Sequence, residues 1–155
     1  MVQLELGQTN AGVLQVAHDL ARIFDAHVIG IAVRRPIEIG YGDGFVYGDG
    51  MVAAGFIDQG RTELDAEAIT VEHAFHARFA DRIDRIAWRS LTTFAALADL
   101  LAIEARNADL IISHIASHDL LDATRRVDTG DLVMQAGRPI LVIPPKAMGF
   151  FLVIS

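Results

Sequence analysis

The chain has no cysteine. Disulfides, thiolate catalysis, zinc–sulfur sites and iron–sulfur clusters are therefore excluded. Basic residues are scarce: 13 Lys and Arg stand against 20 Asp and Glu, a formal net charge of −7. A surface of that sign is a poor fit to nucleic acid or an anionic membrane, and neither is an expected partner. Long apolar runs are missing too. No stretch approaches the roughly 18 uninterrupted apolar residues of a membrane span, although 52% of residues are apolar and the mean hydropathy is +0.36. The apolar excess is therefore assigned to a buried sheet or an oligomer interface. The opening Met1-Val2-Gln3-Leu4-Glu5 carries no basic region followed by an apolar core, so no signal peptide is expected and the expected location is cytoplasmic.

What is present is one domain's worth of sequence, 155 residues, long enough to bury a core without a staple. Short apolar runs alternate with amphipathic ones. Residues 2–6 predict a first strand. Gly7-Gln8-Thr9-Asn10 predicts a loop ending in a helix cap, because Thr and Asn side chains accept from free N–H groups. Residues 11–24 carry Val13, Val16, Ala17, Leu20 and Ile23 at helical spacing. Residues 26–33 are nearly continuous apolar and β-branched, as in a parallel strand covered on both faces.

Residues 34–55 hold Pro36 and the glycine-rich run from Gly40 to Gly50, and predict a long loop. The run lacks the Gly-Lys-Ser/Thr ending of a phosphate loop. Its Tyr41, Phe45 and Tyr47 could close over a ligand or partner, or simply ride on a surface connection. A second helix is expected over about residues 56–81, and a third strand over 85–89. Thr92 or Thr93 can cap a third helix running to about Asn107. A fourth strand is expected over 109–113, helix in part over 120–137 with a break near Asp128-Thr129-Gly130, and a fifth strand over 139–143. Residues 150–154 form a last strand-like run. Such alternation predicts an α/β fold: an open, doubly wound parallel sheet with helices on both faces. Ligands of such sheets sit beyond the carboxyl ends of the strands. That places the candidate site at Gly7-Gln8-Thr9-Asn10, Val33-Arg34-Arg35, Ser113-His114 and Thr129-Gly130-Asp131.

Three stretches together resemble the universal stress protein family. They are residues 20–33 (LARIFDAHVIGIAV), 104–113 (EARNADLIIS) and 130–144 (GDLVMQAGRPILVIP), the last being the most specific. The resemblance runs in family order from about Val2 to Pro144. It implies a five-stranded parallel sheet of order 3-2-1-4-5, of the adenine nucleotide alpha hydrolase-like kind. It also implies one domain over residues 1–145, and dimerisation, commonly through the fifth strand. The family's ATP-binding class shows a glycine, two residues, a second glycine, nine residues, then glycine and Ser or Thr. Here the first two positions are His114 and Ser117, and the later glycine falls at Val127 with Thr129-Gly130 nearby. The acidic residue at the end of the first strand corresponds to Glu5, one methylene longer than the usual Asp. The resemblance thus points to the family and away from its nucleotide motif, toward the bacterial subgroup often found as tandem repeats. By analogy of fold, the crevice consists of Glu5, Gly7, Val33, Ser113, His114, Thr129 and Gly130.

Other constellations are weaker. His114 and His118, with Asp119 beside them, have a spacing that can hold a divalent metal, but no third ligand is evident. Ser113, His114 and Asp119 lack the strained turn of a nucleophile elbow. His73 and His76 are expected on a partly exposed face of the second helix, and Glu67 and Glu72 on the same helix in solvent. Arg34, Arg35, Arg125, Arg126 and Arg138 could hold an anion in the crevice, or pair with the surplus acids. The apolar tail at residues 146–155, with Phe150, Phe151 and Val153, would invite aggregation if exposed, and is expected at an interface with Ile140 and Val142.

The expected function is that of a stress-linked regulatory or interaction protein, a homodimer with a further protein partner. No catalysis, no cofactor and no strong ATP binding are expected. One alternative is an adenine-nucleotide-binding member with a degenerate loop; another is a small hydrolase or metal-dependent enzyme.

Overall fold

A computed structural model describes residues 1–36, 50–114 and 126–144. Its elements are β1 (Val2–Gln3), α1 (Ala11–Ile23), β2 (Val28–Arg34), α2 (Gly50–Arg78), a 3-10 segment (Ala80–Arg85), β3 (Ile86–Thr92), α3 (Leu97–Ala105), β4 (Ile111–His114), α4 (Thr129–Ala136) and β5 (Ile140–Ile143). All strand pairs are parallel, and the order across the sheet is β3-β2-β1-β4-β5, as expected.

Alternation along the strands supplies a core on each side of the sheet. On one side Val2, Leu4, Val28 and Ile112 meet α1 and α2 through Val13, Ala17, Val71 and Phe75. On the other, Ile31, Val33 and Ile111 meet α3 and α4 through Leu101, Ala105, Leu132 and Ala136. Gly30 faces the first core where it is tightest. A Cβ there would sit 2.7 Å from Phe75 Cε2 and 2.8 Å from Trp88 Cε3. The two rings lie 5.4 Å apart between centroids, so the missing side chain is the space they use.

Several boundaries differ from the expectations. α2 begins at Gly50, inside the stretch read as loop, because glycine weakens a helix without forbidding one that packs. β2 begins at Val28: Asp25 takes the left-handed conformation (φ 49°), and Ala26 N–H donates to Ala21 O, so the turn consumes residue 26. β3 continues to Thr92, whose hydroxyl accepts from Arg34 Nε. Neither Thr92 nor Thr93 therefore caps α3, which starts after Ala96. The break expected near residues 128–130 is present: Asp128 is extended, and its carboxylate accepts from Asp131 N–H to cap α4, which starts at Thr129. α4 ends at Gly137 with φ 58°, which glycine adopts freely. The glycine-rich run with Tyr41, Phe45 and Tyr47, and the expected strand at residues 150–154, lie outside the described residues.

Gly30→Val should lower stability by about 1–3 kcal/mol, the usual cost of overpacking. Urea unfolding followed by the fluorescence of Trp88, the one tryptophan, measures it.

Candidate functional site

β1 and β4 lie side by side at the centre of the sheet, so their carboxyl ends open into the same place. The polar groups there are buried, and each must find a partner. Ser113, 1% exposed, donates its hydroxyl to Gln3 Oε1 at 2.8 Å and so ties the two strands by their side chains. Asn10 stands at the N-cap position of α1, but its side chain makes no cap hydrogen bond. It turns back to the chain leaving β1 instead. Its Oδ1 accepts from Glu5 N–H at 2.9 Å, and its Nδ2 donates to Glu5 O at 2.9 Å and to Gln8 O at 3.3 Å. The cap expected at Asn10 is thus replaced by a clasp on the loop.

His114, the last residue of β4, completes the arrangement. Its Nε2 lies 2.8 Å from Asn10 Oδ1. The Glu5 peptide identifies that Asn10 atom as the carbonyl oxygen, so His114 Nε2 must carry the proton. Burial, with a smaller contribution from the positive charge of Arg126, pushes the imidazole down to a pKa of about 4. The ring is therefore neutral at pH 7. Thr129 Oγ1 donates to His114 O at 3.3 Å and ties the start of α4 to the same point.

Beside this clasp is a pocket of about 130 Å³. Gly7 and Gln8 after β1, Val33 to Arg35 at the end of β2, and Leu64 and Glu67 of α2 line it together with Arg126. Gly7 (φ 69°) lies against Glu67: a Cβ on it would stand 3.2 Å from Glu67 Oε1. Both Glu67 and Glu72 are half-buried, where a solvated helix face was expected. His73 is exposed and His76 half-buried. The arginines are already engaged in part. Arg34 pairs with Asp65, and Arg35 donates to Phe94 O at 3.4 Å. Arg138 donates to Arg106 O, away from the pocket.

The structure thus places the expected crevice residues in different roles. Gly7 and Val33 line the pocket. Glu5, Ser113 and His114 are buried and do not line it, with Thr129 hydrogen-bonded to the last of them. Gly130 is exposed on the first turn of α4 and does not line the pocket. Sequence reasoning missed Gln3, Leu64 and Glu67. Gln3, a polar residue in an apolar strand, carried a signal; Leu64 and Glu67 come from α2, whose approach no local pattern announces. The positive end of α4 already has the Asp128 carboxylate on its N–H groups and Asp131 in its first turn.

Ser117, His118, Asp119 and Arg125 lie outside the described residues, as do Phe150, Phe151 and Val153. Among the described residues, no group of three His, Cys, Asp or Glu could hold a metal ion. Nor is any described helix long and apolar enough to cross a membrane. Ile140 and Val142 are half-buried on β5, the edge strand, with Val133 and Met134 exposed on α4.

No family model matches the chain, and no curated protein matches it. Solved structures do. A universal stress protein family member from Burkholderia pseudomallei is 23% identical, with 92% of this chain and 94% of that one covered and a TM-score of 0.54. A universal stress protein in complex with cAMP is 15% identical over 92% and 94% of the two chains, with a TM-score of 0.56. One from Arabidopsis thaliana with AMP bound is 12% identical over 94% and 92%, with a TM-score of 0.53. The chain has the universal stress protein fold.

Two predictions follow from the clasp. Asn10→Ala removes the partner of three buried polar groups and should cost about 1–3 kcal/mol in urea unfolding. The pH dependence has a definite sign. His114 takes up its proton near pH 6.5 when unfolded and only near pH 4 when folded, so stability falls as pH drops through that window. Asp25 and Asp81, held below the usual carboxylate range chiefly by hydrogen bonds to Arg82 and His18 respectively, lose their contribution only at lower pH. Unfolding of the wild type and His114→Gln between pH 7 and 4 should show a shallower slope in the variant.

Proposed function

We propose that this chain is a universal stress protein-like regulatory or interaction protein of the stress response, without catalysis and without tight ATP binding in the crevice. The observation that carries the reading is the side chain of His114. It stands where the nucleotide motif has its first glycine, it is 8% exposed, and it is hydrogen-bonded to Asn10. A glycine there lets backbone N–H groups approach phosphate; a buried imidazole takes up that space. The carboxylates of Asp128 and Asp131 at the start of α4 work in the same direction, since they compete with an anion for its N–H groups.

In this proposal the domain spans residues 1–145, works in the cytoplasm as a homodimer, and pairs through the edge strand β5 with Ile140 and Val142. The exposed Val133 and Met134 on the neighbouring α4 support an interface on that side. The crevice residues of the proposal are Glu5, Gly7, Val33, Ser113, His114, Thr129 and Gly130, of which Gly7 and Val33 line the pocket. A second reading, adenine nucleotide held by a degenerate loop, is favoured by the cAMP and AMP of the two fold neighbours and by Arg126 at the pocket.

Calorimetric titration with ATP and magnesium separates the two. The proposal expects no saturable heat up to millimolar ATP. Saturation at micromolar ATP would replace it with the nucleotide reading.

A further inference from the structure

The pocket of about 130 Å³ beside the clasp differs in charge from the chain around it. Three guanidinium groups, those of Arg34, Arg35 and Arg126, line it with one carboxylate, that of Glu67. The chain as a whole carries a net charge of −7. Asp65 pairs with Arg34 without lining the pocket, and positive charge is still in surplus there. All three arginines are half-buried, which strengthens their attraction for an anion over its value in open water. Arg34 is fixed from two sides, with Nε donating to Thr92 Oγ1 at 3.0 Å and Nη1 to Asp65. Arg35 gives Phe94 O one long bond of 3.4 Å. A guanidinium has five N–H donors, so both keep donors for a ligand.

Size narrows the choice of ligand. The volume is well below the roughly 300–1,000 Å³ of a small-molecule cleft. It admits a group of a few heavy atoms, such as one tetrahedral oxyanion, and not a nucleotide. Guanidinium forks match the oxygens of such an anion in pairs.

Glu67 selects among oxyanions. Its carboxyl rests against the loop after β1, with Oε1 3.2 Å from the place a Cβ on Gly7 would take. Glu67 makes another interaction already, but a carboxylate has two oxygens with about four lone-pair sites and can accept again. It repels an oxyanion that has no proton and accepts from one that keeps an O–H. Inorganic phosphate keeps one O–H at pH 8. Sulfate keeps none, and a phosphomonoester, with its second pKa near 6, has lost its own.

We propose that this pocket binds inorganic hydrogen phosphate, with Arg34, Arg35 and Arg126 on its oxygens and its remaining O–H donated to Glu67. The proposal gives the regulatory reading above a ligand and rests on it, because a nucleotide held in the crevice would compete for the same place.

The test is calorimetric titration of the full chain at pH 8 with sodium phosphate, sodium sulfate and methyl phosphate, in a buffer free of all three. Saturable one-site binding of phosphate at millimolar concentration or below is expected. Sulfate and methyl phosphate should bind at least tenfold more weakly, as for any site whose buried polar group is left unmatched. Glu67→Gln offers a neutral amide that can donate, and should bring sulfate to within about twofold of phosphate. Arg35→Gln should weaken phosphate at least fivefold, and keeps the test valid should Glu67→Gln not fold. ATP is read in its own titration, so failure of the regulatory reading shows separately from failure of this one. Absence of saturation by phosphate, sulfate or methyl phosphate binding as tightly, selectivity that survives in folded Glu67→Gln, or unchanged phosphate affinity in Arg35→Gln would each overturn the proposal.

Discussion

The hydrogen bond from His114 Nε2 to Asn10 Oδ1 joins parts of the chain 104 residues apart, and the carboxyl end of the sheet depends on it. β1 has only two residues in the ladder. Beyond them the chain is held by Leu4 N–H on Ile31 O and then by the paired Asn10–Glu5 bonds. Asn10 therefore serves two masters, the peptide that leaves β1 and the imidazole that ends β4. Remove either partner and polar groups remain buried without compensation, which is far more costly than the modest net value of any one of these bonds. The neutral ring follows from the same requirement: an imidazolium there would need a second acceptor and would stand near Arg126.

That constraint sets the chemistry of the two ends of the sheet apart. At the carboxyl end the central strands finish in a satisfied polar network, flanked by a small pocket lined by Glu67 together with Arg34, Arg35 and Arg126. An open α/β sheet ordinarily keeps this place for a ligand. At the amino end, Ala17 and Ala21 of α1 are buried against Val2, Val28 and Ile112, and the Phe24 ring is exposed. The fold is that of the universal stress proteins, but function resides in sites and not in folds. The proposed interaction role rests on side chains that this chain carries in place of glycine.

Much of the fold was legible in the sequence because its signals are local. The β-branched run that becomes Val28–Arg34, the helical spacing of Val13, Val16 and Ala17, and Gly137 two residues before Pro139 each act within a few residues. Strand order came from the resemblance to a known family, and the structure agrees with it. The candidate site was legible only as a place. Asn10 has the right identity for a cap, and sequence cannot say that a peptide five residues back competes for the same oxygen. Glu67 fits a solvated helix face by spacing alone; only the approach of α2 to Gly7 brings it to the pocket. Thr92 looked like a cap because β3 was expected to end earlier, and ladder pairing with β2 carries the strand through it.

The state of one ring tests the central claim most directly. Long-range proton–nitrogen NMR of the histidine side chains, recorded from pH 8 to 4, reports the tautomer and charge of His114. The account predicts a single neutral form protonated at Nε2 down to about pH 5, with titration near 4, and no change on adding millimolar ATP and magnesium. An imidazolium at pH 6, a proton on Nδ1, or a ring signal that moves with ATP would contradict it.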